Sequence, residues 1–154
     1  MTVVKINGRA LPFKEISIRQ SLSTIASATI TFPFSFVPRY RQYIEIFDDY
    51  DFPIFRGYIW QTTHIKSATK FQTQVTAYDP LILLKVSPFV GSYSGTLKDL
   101  TEWIADFIGV TPAVQSDAKV NVHYDKPQTK WDLMLDAFHF AGTSFYYSPH
   151  LNEL

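Results

Sequence analysis

Apolar and polar residues alternate along most of the first eighty positions. Ile16 and Ile18 alternate with Ser17 and Arg19, and Ala28, Ile30 and Phe32 alternate with Thr29 and Thr31. A period of two in β-branched and aromatic residues predicts half-buried strands. Val3–Ile6 runs into Asn7-Gly8, the signature of a tight hairpin turn. Further on, Tyr43 and Glu45 face one way and Ile44 and Ile46 the other. Pro53–Ile65 is the expected partner, and Phe71, Thr73, Val75 and Ala77 mark the next strand. With Phe13–Ser21 and Ala26–Phe34 this makes six strands at short spacing, the pattern of a small antiparallel barrel or sandwich.

The periodicity changes near Pro80. Thr96 stands three residues before Asp99, a capping-box variant. Leu97, Leu100, Ile104, Phe107 and Ile108 follow at helical spacing, and Gly109 sits where a helix stop belongs, so a helix is expected near 96–108. Thr129 and Asp132 repeat the signal ahead of a helix near 129–141. There Trp131, Met134, Leu135 and Phe138 form one apolar stripe, Leu133, Ala137 and Phe140 another, and Asp132, Asp136 and His139 the polar line. A helix apolar over most of its circumference packs on more than one side. Lys119–Tyr124 and Ser144–Tyr147 read as strands. The expected class is α+β, mainly β: a β-barrel domain over 1–85 and an α+β segment over 86–154.

Composition narrows the function classes. The chain is 46% hydrophobic and 18% charged, a globular balance, and its 16% aromatic content suits short strands, most of the rings being core. Formal net charge is zero. The basic excess of a dedicated nucleic-acid binder is missing, and there is little charge repulsion against self-association. The absence of cysteine removes disulfides, thiolate metal sites and cysteine nucleophiles together. No run approaches 18 apolar residues, so no membrane insertion is expected, and the first ten residues lack the charged and apolar regions of a secretory signal.

Candidate chemistry is sparse. His64, His123, His139 and His150 lie in different predicted elements, with none at metal-ligand spacing from another. Asp48, Asp49 and Asp51 crowd one turn, where carboxylates could perturb each other or hold calcium. The calcium-loop spacing is absent, however, and Asp is an ordinary turn residue. Arg39, Arg41 and Arg56, interleaved with Tyr40 and Tyr43, form a modest basic–aromatic patch. There is no nucleophile elbow, glycine-rich phosphate loop or zinc-protease motif. The expectation is a protein that is not an enzyme, with no cofactor and no metal.

Five segments, in serial order, carry a resemblance over nearly the whole chain. They are "VVKINGRALPFKEISIRQSLSTIASATITFPF", "IEIFDDYDFPIFRGYIW", "FQTQVTAYDPLILL", "SGTLKDLTEWIADFIGV" and "KPQTKWDLMLDAFHFAGTSFYY". Together they resemble the hub family of phage tail baseplates, the late-control protein D or Mu-like hub group, to which the N-terminal part of type VI secretion spike proteins is also similar. Each segment alone is weakly specific; their order is the stronger signal.

The resemblance implies a tail-tube-type barrel followed by the start of an incomplete second hub domain. It implies a homotrimeric ring joining a sixfold tail tube to a threefold spike or tip, in a virion tail assembled in the bacterial cytoplasm. The partners would be the tail tube protein, the spike or tail-tip protein and other baseplate proteins, with DNA passing through the channel without specific binding. Tyr43, Phe55, Gly57, Tyr58, Trp60 and Asp79 become the candidate interface and structural residues, Asp79 at the exit from the first barrel and Gly57 as a site of close approach or a bulge. Family hubs continue beyond the Ser144–Tyr147 segment, so the chain is either the N-terminal portion of a longer hub or a shortened relative. Two alternatives stand beside this reading. One is an oligonucleotide/oligosaccharide-type binding module using Tyr40, Arg41, Tyr43 and Trp60 as a stacking platform. The other is a cell-wall hydrolase with Asp49 and Asp51 as its carboxylate pair.

Overall fold

The computed structural model describes all 154 residues. They form two compact units, the first made of Met1–Gln20 and Ile25–Asp79, the second of Ser21–Thr24 and Pro80–Leu154.

The first unit is one curled antiparallel sheet. Its strands are β1 (Val3–Ile6), β2 (Arg9–Leu11), β3 (Glu15–Arg19), β4 (Ser27–Phe32), β5 (Tyr43–Phe47), β6 (Pro53–Lys66) and β7 (Phe71–Tyr78). They lie in the order β2-β1-β5-β6-β7-β4-β3, with seven strands where the alternation predicted six. The extra one, β2, is three residues long and too short to show a period. It returns from β1 through Asn7 and Gly8, both at positive φ (48° and 78°), the twist a two-residue hairpin needs. The concave face is the core: Val4, Ile6, Ala28, Ile30, Phe32, Ile44, Ile46, Phe55, Ile59, Val75 and Ala77 are buried. Their alternate neighbours form the outer face, which is why one period-two pattern specified both sides of the sheet.

The second unit contains α1 (Ile82–Lys85), β8 (Pro88–Thr96), α2 (Leu97–Ile108), β9 (Lys119–Thr129) and α3 (Lys130–Phe140). β8 and β9 form an antiparallel ribbon. Both longer helices start on complete capping boxes: Thr96 accepts from Asp99 N–H and Thr129 from Asp132 N–H, and each Asp carboxylate accepts from the cap backbone in return. Gly109 ends α2 in the left-handed region, φ 74°. Leu97, Leu100, Ile104, Val120, Leu133, Met134 and Phe138 are buried together with Trp131, Phe145 and Tyr147.

The structure differs from the sequence expectations in four places. β8 was not foreseen, because Gly91 and Gly95 interrupt its pattern; Gly91 stands at a register shift and has φ 98°. β9 runs on to Thr129 rather than stopping at Tyr124. Ser144–Tyr147 is not a strand: Phe145 and Tyr147 are buried and Tyr146 is exposed, so the alternation is real, but the segment has no ladder beside it. Phe145 is held instead by Ser23, whose N–H donates to its carbonyl at 2.7 Å. Phe140, placed on an apolar stripe of α3, is exposed in the last turn.

Candidate assembly surface

The outer face of the first sheet brings several of the singled-out residues together. Tyr58 stands opposite Tyr43 on β5 and opposite Tyr78 on β7, so a row of tyrosines crosses three strands. The Tyr43 and Tyr58 rings meet edge-on at 5.8 Å. Beside them Arg56 Nε lies 3.2 Å from Glu45 Oε1, an ion pair on directly opposed strand positions, in a geometry that falls short of a hydrogen bond. Burial raises the Tyr43 phenol above its ordinary pKa; the Glu45 charge adds to this and the Arg56 charge opposes it.

Two register shifts bend β6, one near Ile46/Phe47 and one between Ile59 and Gln61. At the second, Trp60 is the extra residue. It leaves the ladder and packs against Tyr40 at 4.9 Å. The Arg41 guanidinium lies 5.2 Å from the Trp60 ring and 5.3 Å from Tyr40. Arg41 has φ 61°, held there by its N–H, which donates to the Ile59 carbonyl at 2.7 Å. Tyr40, Arg41 and Trp60 are therefore one cluster, whereas Tyr43 pairs with Tyr58.

The remaining candidates are internal. Phe55 is buried in the core. Gly57 is buried where β6 passes the end of β7: a Cβ there would lie 2.0 Å from the Tyr78 carbonyl oxygen. Asp79 is buried as the chain leaves β7, and its carboxylate accepts from Ala26 N–H at 2.8 Å.

The acidic turn has a structural explanation. Asp48 Oδ1 accepts from Tyr50 N–H at 2.8 Å and from Phe52 N–H at 2.9 Å, closing the loop on itself. Asp49 is bound by the Met1 amine at 3.2 Å and the Thr2 hydroxyl at 3.1 Å. The amine's hydrogen bond, then that of Thr2, hold the Asp49 carboxyl below its usual pKa, the opposite of what a general acid needs. No group of three or more His, Asp or Glu side chains is placed to hold a metal ion.

Sequence reasoning missed two polar clusters on the second unit. Ser92 stands opposite His123 across the β8–β9 ladder, with Ser92 Oγ 2.7 Å from Nδ1, while Asp125 Oδ1 lies 2.8 Å from Nε2. His123 and Asp125 are two apart on one strand, a spacing visible in the sequence; Ser92 joins them only through the register. His123 and Asp125 are 62% and 91% exposed, so the line lies open to water. The second cluster is Tyr124, whose hydroxyl donates to the Asp136 carboxylate on α3. Burial, and next this carboxylate, push the phenol above its ordinary range. Phe89 meets both Tyr124 and Trp103 edge-on, and Lys130 Nζ lies 4.5 Å from the Phe107 ring.

No protein-family profile matches the chain, and no curated protein resembles it in sequence. Solved structures do resemble it. A 43 kDa tail protein of prophage MuSo2 from Shewanella oneidensis superposes with TM-score 0.79 at 15% identity, covering 98% of this chain and 52% of its own. A tail protein from Neisseria meningitidis MC58 gives 0.76 at 15% identity, covering 97% and 48%. The E. coli c3393 protein, described as a component of the type VI secretion system with structural similarity to the T4 bacteriophage tail proteins gp27 and gp5, gives 0.64 at 16% identity, covering 88% and 42%. The chain has the fold of these proteins and spans about half their length.

Proposed function

We propose that this chain, which shares its fold with prophage tail and type VI secretion components, is a structural subunit of a phage tail or a phage-like injection particle. It acts as the baseplate or tail-tip hub, in a trimeric ring that joins the sixfold tail tube to the threefold spike. The observation that carries this is the superposition along nearly the whole chain, at TM-scores of 0.76 and 0.79, on proteins described as tail proteins. The chemistry described above agrees with a mechanical role. Asp48 closes the acidic turn on itself and Asp49 is paired with the chain's amine and Thr2, and the most shielded polar groups hold strands and helices together rather than converging on a cleft. The second unit is then the start of a second hub domain. The chain spans about half the length of those structures.

The test is the subunit stoichiometry of the protein isolated within its source particle, by native mass spectrometry. Three copies per particle are expected. A protein that is absent from any tail-like particle and stays a single copy in solution would overturn the reading.

One observation favours a second reading. Tyr40, Arg41 and Trp60 form an aromatic–guanidinium cluster of the kind that stacks on bases or sugar rings. Single-stranded DNA or glycan affinity at low salt, lost on Trp60→Ala, would move the assignment to a binding module. No binding at low salt would remove it.

A further inference from the structure

The two ends of β6 carry opposite charge. At about 3.3 Å per residue a strand of this length runs roughly 45 Å along its contour. Its start leaves the acidic turn, where Asp48, Asp49 and Asp51 fall within four residues and Asp49 is paired with the Met1 amine. Tyr50 at the crest of this turn is 82% exposed. Its far end is a short hairpin tip that outruns the neighbouring strands. β5 pairs with β6 only as far as Tyr58 and β4 with β7 only from Thr73, so the stretch from Ile65 to Gln72 has both edges open. Lys66 and Lys70 sit at the tip of this arm, with His64 just before them and no carboxylate between Gln61 and Gln72. Phe71 is 56% exposed on one face with Lys66 lying over its ring, and Ile65 is exposed on the other.

A two-stranded ribbon alone is marginally stable in water, and open edges bearing exposed apolar side chains invite a partner. The arm is basic and apolar; the turn is acidic and aromatic. The two are complementary to each other and not to themselves, on a chain whose total charge is zero. We infer that a second copy of this chain is the partner, the Lys66/Lys70 arm tip of one copy docking on the Asp49/Asp51 turn of the next. The contact is heterologous: each copy offers one arm and one turn, so the interface propagates in one direction and ends only where rotation closes a ring. This deepens the hub reading by naming how copies meet.

The test is sedimentation velocity on the full chain at rising concentration, with two variants. Lys66→Glu/Lys70→Glu reverses the arm; Asp49→Asn/Asp51→Gly neutralises the turn, glycine accepting the positive φ of Asp51. Wild type is expected to associate, more weakly at 500 mM than at 50 mM salt. Each variant alone is expected to lose association at least tenfold while keeping the wild-type circular dichroism. Mixed in equal amounts, the two should form a one-to-one pair and nothing larger, because only one intact arm and one intact turn remain. Association that survives in both variants would overturn this contact and leave the trimeric ring standing. A wild type that stays single at every concentration would overturn the contact too, leaving the ring to be decided by the particle's stoichiometry. A salt-independent wild type would count against it even if a variant failed to fold.

Discussion

Asp79 and Ala26 clasp each other twice. The Asp79 carboxylate accepts from Ala26 N–H at 2.8 Å, and Asp79 N–H donates to the Ala26 carbonyl at 3.0 Å. This pins the start of β4 to the end of β7, where the chain leaves the first unit for the second. Removing the carboxylate leaves a buried N–H unsatisfied, which costs about 2 kcal/mol. Asp79→Ala is therefore expected to lower the unfolding free energy by that amount, seen as a lower denaturant midpoint with an unchanged slope. Asp79→Asn, which keeps an acceptor oxygen, should lose less.

Gly57 tests the close approach of β6 to the end of β7. A methyl group there meets backbone, the Tyr78 carbonyl at 2.0 Å, so neither side can yield without moving a strand. Gly57→Ala is expected to cost more than about 3 kcal/mol, seen as loss of cooperative unfolding or of soluble protein. Gly95→Ala is the contrast: its nearest neighbour, at 2.8 Å, is the Tyr93 hydroxyl, a side-chain end that can swing away. It should fold, with a small shift in midpoint.

The capping boxes predict a local effect. Thr129 Oγ1 accepts from Asp132 N–H at 3.1 Å, and Thr129 N–H donates to the Asp132 carboxylate at 2.9 Å. Thr129→Ala should destabilise the chain by about 1 kcal/mol, and Thr129→Ser by much less. Thermal unfolding followed by circular dichroism distinguishes the two.

Tyr124 gives an alkaline signature. Its phenol pKa is raised in the folded state by burial and by the Asp136 carboxylate, so the neutral form is favoured by folding. That stability is fully present below the unfolded tyrosine pKa of about 10 and is lost as pH rises from there towards the raised folded value. Stability should therefore fall with pH above about 10, and Tyr124→Phe, which cannot ionise, should flatten that fall. Denaturant titrations across the alkaline range provide the check.

At the acid end the sign reverses. Asp49 is held below its usual pKa by the Met1 amine and the Thr2 hydroxyl. Its contribution is present above the unfolded Asp pKa of about 3.9 and disappears as pH falls through the lower folded value. The side chain is exposed, so the effect should be small and weakened by salt, and absent in Asp49→Asn. Two-dimensional NMR titration of the Asp49 carboxyl reports the lowered value directly.

Much of this fold is written in local spacing. Ile16 and Ile18, Ala28 and Ile30, and Ile44 and Ile46 mark their strands because one face of a curled sheet is buried and the other is wet. The Thr96–Asp99 and Thr129–Asp132 pairs mark helix starts because a cap is made within four residues. The sequence therefore determined the mainly β class, the faces of the first sheet and the entry of both long helices. Long-range pairing decided the rest. The β8–β9 register, not any motif, puts Ser92 against His123. The bulge at Trp60 brings that ring to Tyr40 and Arg41, and Gly57 is required only because the end of β7 passes over it. Ser144–Tyr147 alternates like a strand yet forms no ladder, meeting Ser23 at Phe145 instead, since a ladder needs two strands' worth of hydrogen-bonding groups and periodicity describes only one. Local chemistry chooses an element; what lies beside it is settled only when the whole chain packs.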